Sequence, residues 1–146
     1  NTAMRCAINT AVQRGLPTVA ECGGFLYLGR SLEDADGKVW PMADVLPGDG
    51  IRVGRLVRFG YAEMTAKADS MLFCAGETLP IHEFHHWDST ANGTAFTACK
   101  SAKMQWECGF ATENFYAGFP HFYWAGTPLP RRFVAAAECY TKGQQK

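Results

Sequence analysis

A short apolar run that ends on a cysteine and two glycines constrains this chain more than any other feature. Leu16-Pro17-Thr18-Val19-Ala20-Glu21 suits a buried strand, Cys22-Gly23-Gly24 follows, and Phe25, Leu26, Tyr27 and Leu28 open a new apolar stretch that reads as helical to about Arg30. Upstream, Met4, Ala7, Ile8, Ala11 and Val12 recur at helical spacing over residues 3–14, with Thr2 as the expected N-cap. Gly15 can end that helix in a left-handed conformation, and Pro17 prevents its continuation. Helix, strand, sharp turn, helix is one α/β unit, and such units build a mostly parallel sheet.

The turn also carries chemistry. A cysteine at the tip of a strand and the start of a helix faces unpaired N–H groups and partial positive charge, which favour thiolate over thiol. The same N–H groups can stabilise an oxyanion on an attacked carbonyl. Glycines after it give a tight elbow its backbone angles and let a substrate approach the main chain. This is the logic of the nucleophile elbow, here with sulfur. The plain alternative is an ordinary buried cysteine before a Gly-Gly turn, and spacing alone leaves both open.

A cysteine nucleophile needs a base, and the chain offers His82, His85, His86 and His121. On a strand, His82 and His86 share one face, while Glu83 and His85 point to the other. A zinc site wants three or four convergent ligands, and no second Cys/His cluster has ligand spacing, so a polar strand end lining a pocket is the expectation and a metal is not. His121 stands alone in Gly118-Phe119-Pro120-His121-Phe122-Tyr123-Trp124. It is either a structural histidine in an aromatic core or a general base brought from a strand end to Cys22.

The remaining sequence is strand-like. Residues 37–40, 51–67, 71–74, 81–87 and 94–100 read as strands punctuated by Gly, Pro and Asp. Residues 110–124 are aromatic and Gly-rich, 131–140 read as a final helix, and 141–146 as a frayed polar tail. Fourteen basic and fourteen acidic residues cancel. That argues against a nucleic-acid binder, and Arg52, Arg55 and Arg58 are expected to be solvated on a strand. No apolar run reaches the ~18 to 20 residues of a membrane span, and no signal peptide is visible. The six cysteines include no CxxC pair, and five of them read as reduced, mostly buried small hydrophobes, which points to the cytoplasm. The chain starts at Asn1-Thr2 without an initiator Met, as a piece of something longer would.

Several ordered motifs carry a resemblance. Residues 17–28, from Pro17 through Cys22 to Leu28, resemble the nucleophile segment of cobyrinic acid a,c-diamide synthases. Further matches follow in the family's order: Trp40-Pro41-Met42-Ala43-Asp44-Val45-Leu46-Pro47-Gly48, Phe59-Gly60-Tyr61, His82-Glu83-Phe84-His85, Gly118-Phe119-Pro120-His121 and Thr127-Pro128. The resemblance implies a class I glutamine amidotransferase-like α/β fold, a flavodoxin-like open sheet with flanking helices, N-terminally truncated. Residues 1–146 would be the glutaminase domain of a longer chain whose N-terminal ATP-binding domain is absent.

The resemblance also assigns roles. Cys22 would be the nucleophile, His121 its base and Gly23 an oxyanion donor, with Gly24, His82, Glu83 and His85 shaping the site. Glutamine would be the ammonia source and a corrin the acceptor in the full enzyme. ATP and Mg would bind the absent synthetase domain, leaving no cofactor in this fragment, which lacks a GxxxxGK[ST] loop. Tyr123 stands where the common triad has a glutamate, so a Cys–His dyad oriented by another group is expected. Gly118-Phe119-Pro120 replaces the usual lead-in to the histidine. The Gly-rich loop that would give a second oxyanion donor is also missing, so the fragment alone should be a poor glutaminase. Exposed apolar edges should favour a homo-oligomer. Three alternatives stay open: amidation of another macrocycle such as nickel sirohydrochlorin, a different cysteine hydrolase, or a non-catalytic docking domain.

Overall fold

The computed structural model describes residues 1–143 of the chain. Its elements run α1 (Thr2–Gln13), β1 (Thr18–Glu21), α2 (Gly23–Leu28), β2 (Ser31–Glu33), β3 (Val39–Pro41), β4 (Asp49–Arg52), β5 (Arg58–Ala66), β6 (Thr78–His85), β7 (Trp87–Ser89), β8 (Phe96–Ser101), β9 (Met104–Cys108), β10 (Phe110–Thr112), β11 (Phe115–Gly118), β12 (His121–Phe122) and α3 (Leu129–Gly143). The strands form three sheets, ordered β1-β11-β10, β12-β6-β5-β8-β9 and β3-β2-β4-β7. This is the mixed α/β architecture expected from the helix–strand–turn–helix unit. Among the described residues, no helix is long and apolar enough to cross a membrane.

Parallel pairing is narrower than the sequence suggested. It joins β1 to β11 and β2 to β4, and the other pairs are antiparallel. Short connections impose this. Only two residues separate β10 from β11, and two separate β8 from β9, and hairpin links of that length can join antiparallel strands only.

The strand β11 divides the interior. All four of its residues are buried, and alternation sends them to different sides. Tyr116 joins Met64, Leu72, Phe73, Ile81, Phe96, Phe122 and Leu129 on the inner face of the five-stranded sheet. Phe115 and Ala117 join Ala20, Phe25, Leu26 and Leu28 around the Cys22 turn. The site therefore sits where two cores share one strand.

Local details differ from the sequence expectations. Asn1, not Thr2, caps α1, its side-chain oxygen accepting the Met4 N–H at 3.0 Å; Thr2 instead accepts from Arg5. Gly15 does close the helix, at φ +86°. Residues 51–67 split into β4 and β5 because Gly54 turns the chain at φ +72°. The strand expected at 71–74 is absent. Met71, Leu72 and Phe73 are buried, but Ser70 N–H bonds Phe73 O at 2.8 Å in a tight turn. A short apolar run plugging a core looks like a strand to any periodicity argument. Of the tail, residues 141–143 continue α3, and 144–146 lie outside the described residues.

Candidate active site

The turn after β1 is strained at the cysteine itself. Cys22 has φ 50° and ψ −105°, a region an L-residue occupies at a cost of about 1–3 kcal/mol and which clusters at functional sites. Its N–H donates to Gly118 O at 2.8 Å. Since β1 runs parallel to β11 with Glu21 opposite Gly118, the elbow sits at the carboxyl ends of two parallel strands. The unusual angles expected of the glycines thus fall on Cys22, while Gly23 and Gly24 are helical. A Cβ at Gly23 would meet nothing within 4 Å, so the space beside the cysteine is open. A Cβ on Gly24 would lie at ordinary contact, 3.5 Å, from that of Ala20.

The thiol is not poised as a free thiolate. Burial pushes its pKa above the ordinary value of 9.0, the Gly23 backbone N–H pulls it down, and the Glu83 and Glu21 carboxylates push it up further. The helix effect expected from the sequence is real but loses to burial. A proton acceptor is therefore needed to make Cys22 a nucleophile.

His121 supplies a candidate. It begins β12 three residues beyond the end of β11, and it pairs across the sheet with His82. Its Nδ1 lies 3.3 Å from Glu21 Oε2, and Trp124 Nε1 donates to Glu21 Oε1 at 3.1 Å. His121 and His82 line one open groove of about 340 Å³ with Tyr61, Pro80, Ile81, Phe122 and Tyr123. Among the described residues, no hydrogen bond links Cys22 Sγ to His121. Cys22 is not among the residues that line that groove.

The His82–His86 segment divides as alternation requires. His82 faces outward, its ring 4.9 Å from that of Tyr61. Glu83 and His85 face inward and are 3% and 5% exposed. His85 Nε2 lies 3.0 Å from Glu83 Oε2, and its Nδ1 lies 2.7 Å from Trp87 O. Both ring nitrogens are thus engaged by oxygens, and neither is free to act as a base. The His85 ring stacks on Phe119 at 3.8 Å, and Phe119 packs edge-on against Phe25 of α2. The pair therefore sits under the elbow, on the far side of Phe119. Arg58, expected to be solvated, lies 3.4 Å from Glu83 Oε2 and 4.4 Å from the Trp106 ring centre. Among the described residues, no group of three or more His, Cys, Asp or Glu could hold a metal ion.

Sequence reasoning missed Glu21. A partner for the histidine was sought downstream, where Tyr123 stands, 77% exposed. The available signal was a carboxylate directly before the nucleophile, but only the β1–β11 register brings it to His121.

Together these features define an α/β domain with a strained cysteine at a strand-to-helix elbow and a carboxylate-contacted histidine on the neighbouring chain segment. The chain belongs to the CobB/CobQ-like glutamine amidotransferase domain family, whose model matches residues 1–128. It is 37% identical over 143 residues to the cobyrinate a,c-diamide synthase of Salmonella typhimurium, covering 94% of this chain and 31% of that protein. It is 35% identical over 124 residues to the protein of that name from Caldanaerobacter subterraneus, covering 83% and 27%. For the Listeria innocua protein of that name the figures are 34% over 136 residues, 88% and 29%. The chain thus spans about a third of the length of these relatives.

Proposed function

We propose that this chain is the glutaminase domain of a cobyrinate a,c-diamide synthase, supplying ammonia for ATP-dependent amidation of the a and c carboxylates of a corrin in cobalamin biosynthesis. The observation that carries the proposal is the strained backbone of Cys22 at the carboxyl ends of two parallel strands. The relatives' names support the choice of acceptor. The six free cysteines fit a reducing, cytoplasmic setting.

In this mechanism His121 takes the Cys22 proton, and the thiolate attacks the side-chain amide carbon of glutamine. The Gly23 N–H, beside Cys22 Sγ, meets the oxyanion of the tetrahedral intermediate. Collapse of that intermediate breaks the C–N bond, and the imidazolium gives its proton to the departing ammonia. A glutamyl thioester remains. Water then attacks the thioester, His121 accepts the water proton and returns it to the leaving sulfur, and glutamate departs. Activation of the corrin carboxylate with Mg-ATP falls to the N-terminal synthetase domain. Residues 1–143 offer no fit for that group, with neither a phosphate loop nor a metal cluster, and no step in this chain runs through it.

A glutamine-analogue diazoketone should alkylate Cys22 selectively, as read by peptide mapping. In the full-length polypeptide, Cys22→Ala should cut glutamine-dependent synthesis by about 10⁴-fold or more while ammonia-dependent synthesis survives. Glutamine-dependent synthesis that persists in the variant would sink the proposal.

A further inference from the structure

We propose that Glu21 is the positioning residue for His121, so that the strand delivering the nucleophile also delivers the carboxylate that sets its base. The inference rests on the Cys22–His121 mechanism above and adds to it the group that orients the imidazole. Two contacts define the arrangement. Glu21 Oε2 lies 3.3 Å from His121 Nδ1, and Glu21 Oε1 accepts from Trp124 Nε1 at 3.1 Å. The indole anchors one carboxylate oxygen and leaves the other to the histidine, and both partners come from the single segment that follows β11. Glu21 is mostly buried, with its side chain 20% exposed, whereas the His121 ring is 43% exposed and open to the groove.

An ionised carboxylate can only accept, so Nδ1 must carry the proton and the Nε2 lone pair is left bare. That is the tautomer a general base needs. Among the described residues, no other carboxylate contacts His121. Glu83 is enclosed by His85, Arg58 and Trp106, and the position two residues beyond His121 is an exposed tyrosine. The titratable groups that line the groove with His121 are His82 from β6, Tyr61 from β5 and Tyr123 from its own segment, and Glu21 reaches it from β1.

Glu21→Gln tests the role at nearly constant shape. The glutamine can still offer its oxygen to Trp124, but it then presents an NH₂ to Nδ1. His121 must accept there and carry its proton on Nε2. In the full-length polypeptide, glutamine turnover should fall by at least a hundredfold with KM within about threefold, and the unfolding midpoint in urea should stay close to wild type. Imidazole ¹⁵N spectra of the neutral ring should show protonation at Nδ1 in wild type and at Nε2 in the variant. Trp124→Phe, which frees only the anchor, should lose about tenfold or less. Turnover within threefold of wild type in Glu21→Gln, or a wild-type ring protonated at Nε2, would overturn the assignment. The wild-type spectrum decides even where the variant folds poorly. His121→Ala separates the two levels: if it retains glutamine turnover the mechanism itself fails, whereas a dead His121→Ala beside a normal Glu21→Gln removes Glu21 alone.

Discussion

Two regions of the molecule hold the same three residue types and treat them oppositely. At the elbow, Cys22 is half-buried, His121 opens onto a groove, and Glu21 touches the histidine at its edge. Under the five-stranded sheet, Cys108 is buried, and His85 and Glu83 are sealed against each other. Each cysteine precedes a glycine: a side chain on Gly23 would meet open space, whereas one on Gly109 would strike the Phe96 ring at 2.7 Å. The backbone differs as well, since Cys22 is held at positive φ and Cys108 lies in a regular strand. Residue type therefore does not distinguish the two regions. Among the described residues, a strained backbone, open space and a histidine facing a groove coincide at the elbow and not in the sealed cluster.

The sealed region should respond in stability. Glu83 gathers His85 Nε2, Arg58 Nε and Trp106 Nε1 onto one buried carboxylate. Removing it leaves the His85 nitrogen facing a void and Arg58 without its counter-ion, and breaking a buried pair in this way costs about 3–5 kcal/mol. Arg58 is about a third exposed and can turn to water, so Glu83→Ala should fall near the low end, about 3 kcal/mol. Urea unfolding measures it. A loss below about 1 kcal/mol would show that the cluster is not held together by this carboxylate, and the contrast with the elbow would blur.

Legibility in the sequence followed the same division. The α1–β1–elbow–α2 unit was readable because Met4, Ile8 and Val12 repeat at helical spacing and Cys22-Gly23-Gly24 marks a sharp stop. The opposite facing of His82 and Glu83 followed from the period of a strand. What was hidden depends on pairing between distant segments. Glu21 reaches His121 across a hundred residues because β1 lies beside β11, and nothing local to either residue encodes that register. Arg58 was misread for a related reason, since its partners Glu83 and Trp106 come from two other strands. The raised thiol of Cys22 was missed because burial, which sequence does not show, outweighs the Gly23 N–H.

The paired glycines sharpen the contrast at smaller scale. Gly109→Ala places a Cβ at φ +72° and 2.7 Å from Phe96 Cδ2. Overpacking of a buried ring with a left-handed backbone should cost about 2–3 kcal/mol in a urea titration. Gly23→Ala meets no atom and has an ordinary helical φ, so its stability should stay within about 0.5 kcal/mol of wild type. It should nonetheless slow diazoketone labelling of Cys22, because the added methyl enters the space beside the sulfur. Equal stability losses at the two positions would erase the distinction between an open and a sealed turn.

The last contrast is one of protons. Burial, reinforced by Glu83 and only partly offset by Arg58 and Lys67, pushes the Cys108 thiol up to about 12 from an ordinary 9.0. Above pH 9 the unfolded chain releases this proton while the folded one keeps it. The folded state then binds more protons, so stability falls as pH rises between 9 and 12 and is unaffected below that window. The slope from this one group is about 1.4 kcal/mol per pH unit. Cys108→Ala removes the titrating group and leaves the other alkaline titrations, including that of buried Tyr116, in place. Its stability should therefore decline less steeply than wild type, with the gap narrowing by about 1 kcal/mol between pH 9 and pH 10 and by close to the full slope from pH 10 to pH 11. Parallel curves for the two proteins would mean that the Cys108 thiol titrates as it does in water, and the sealed region would not be sealed.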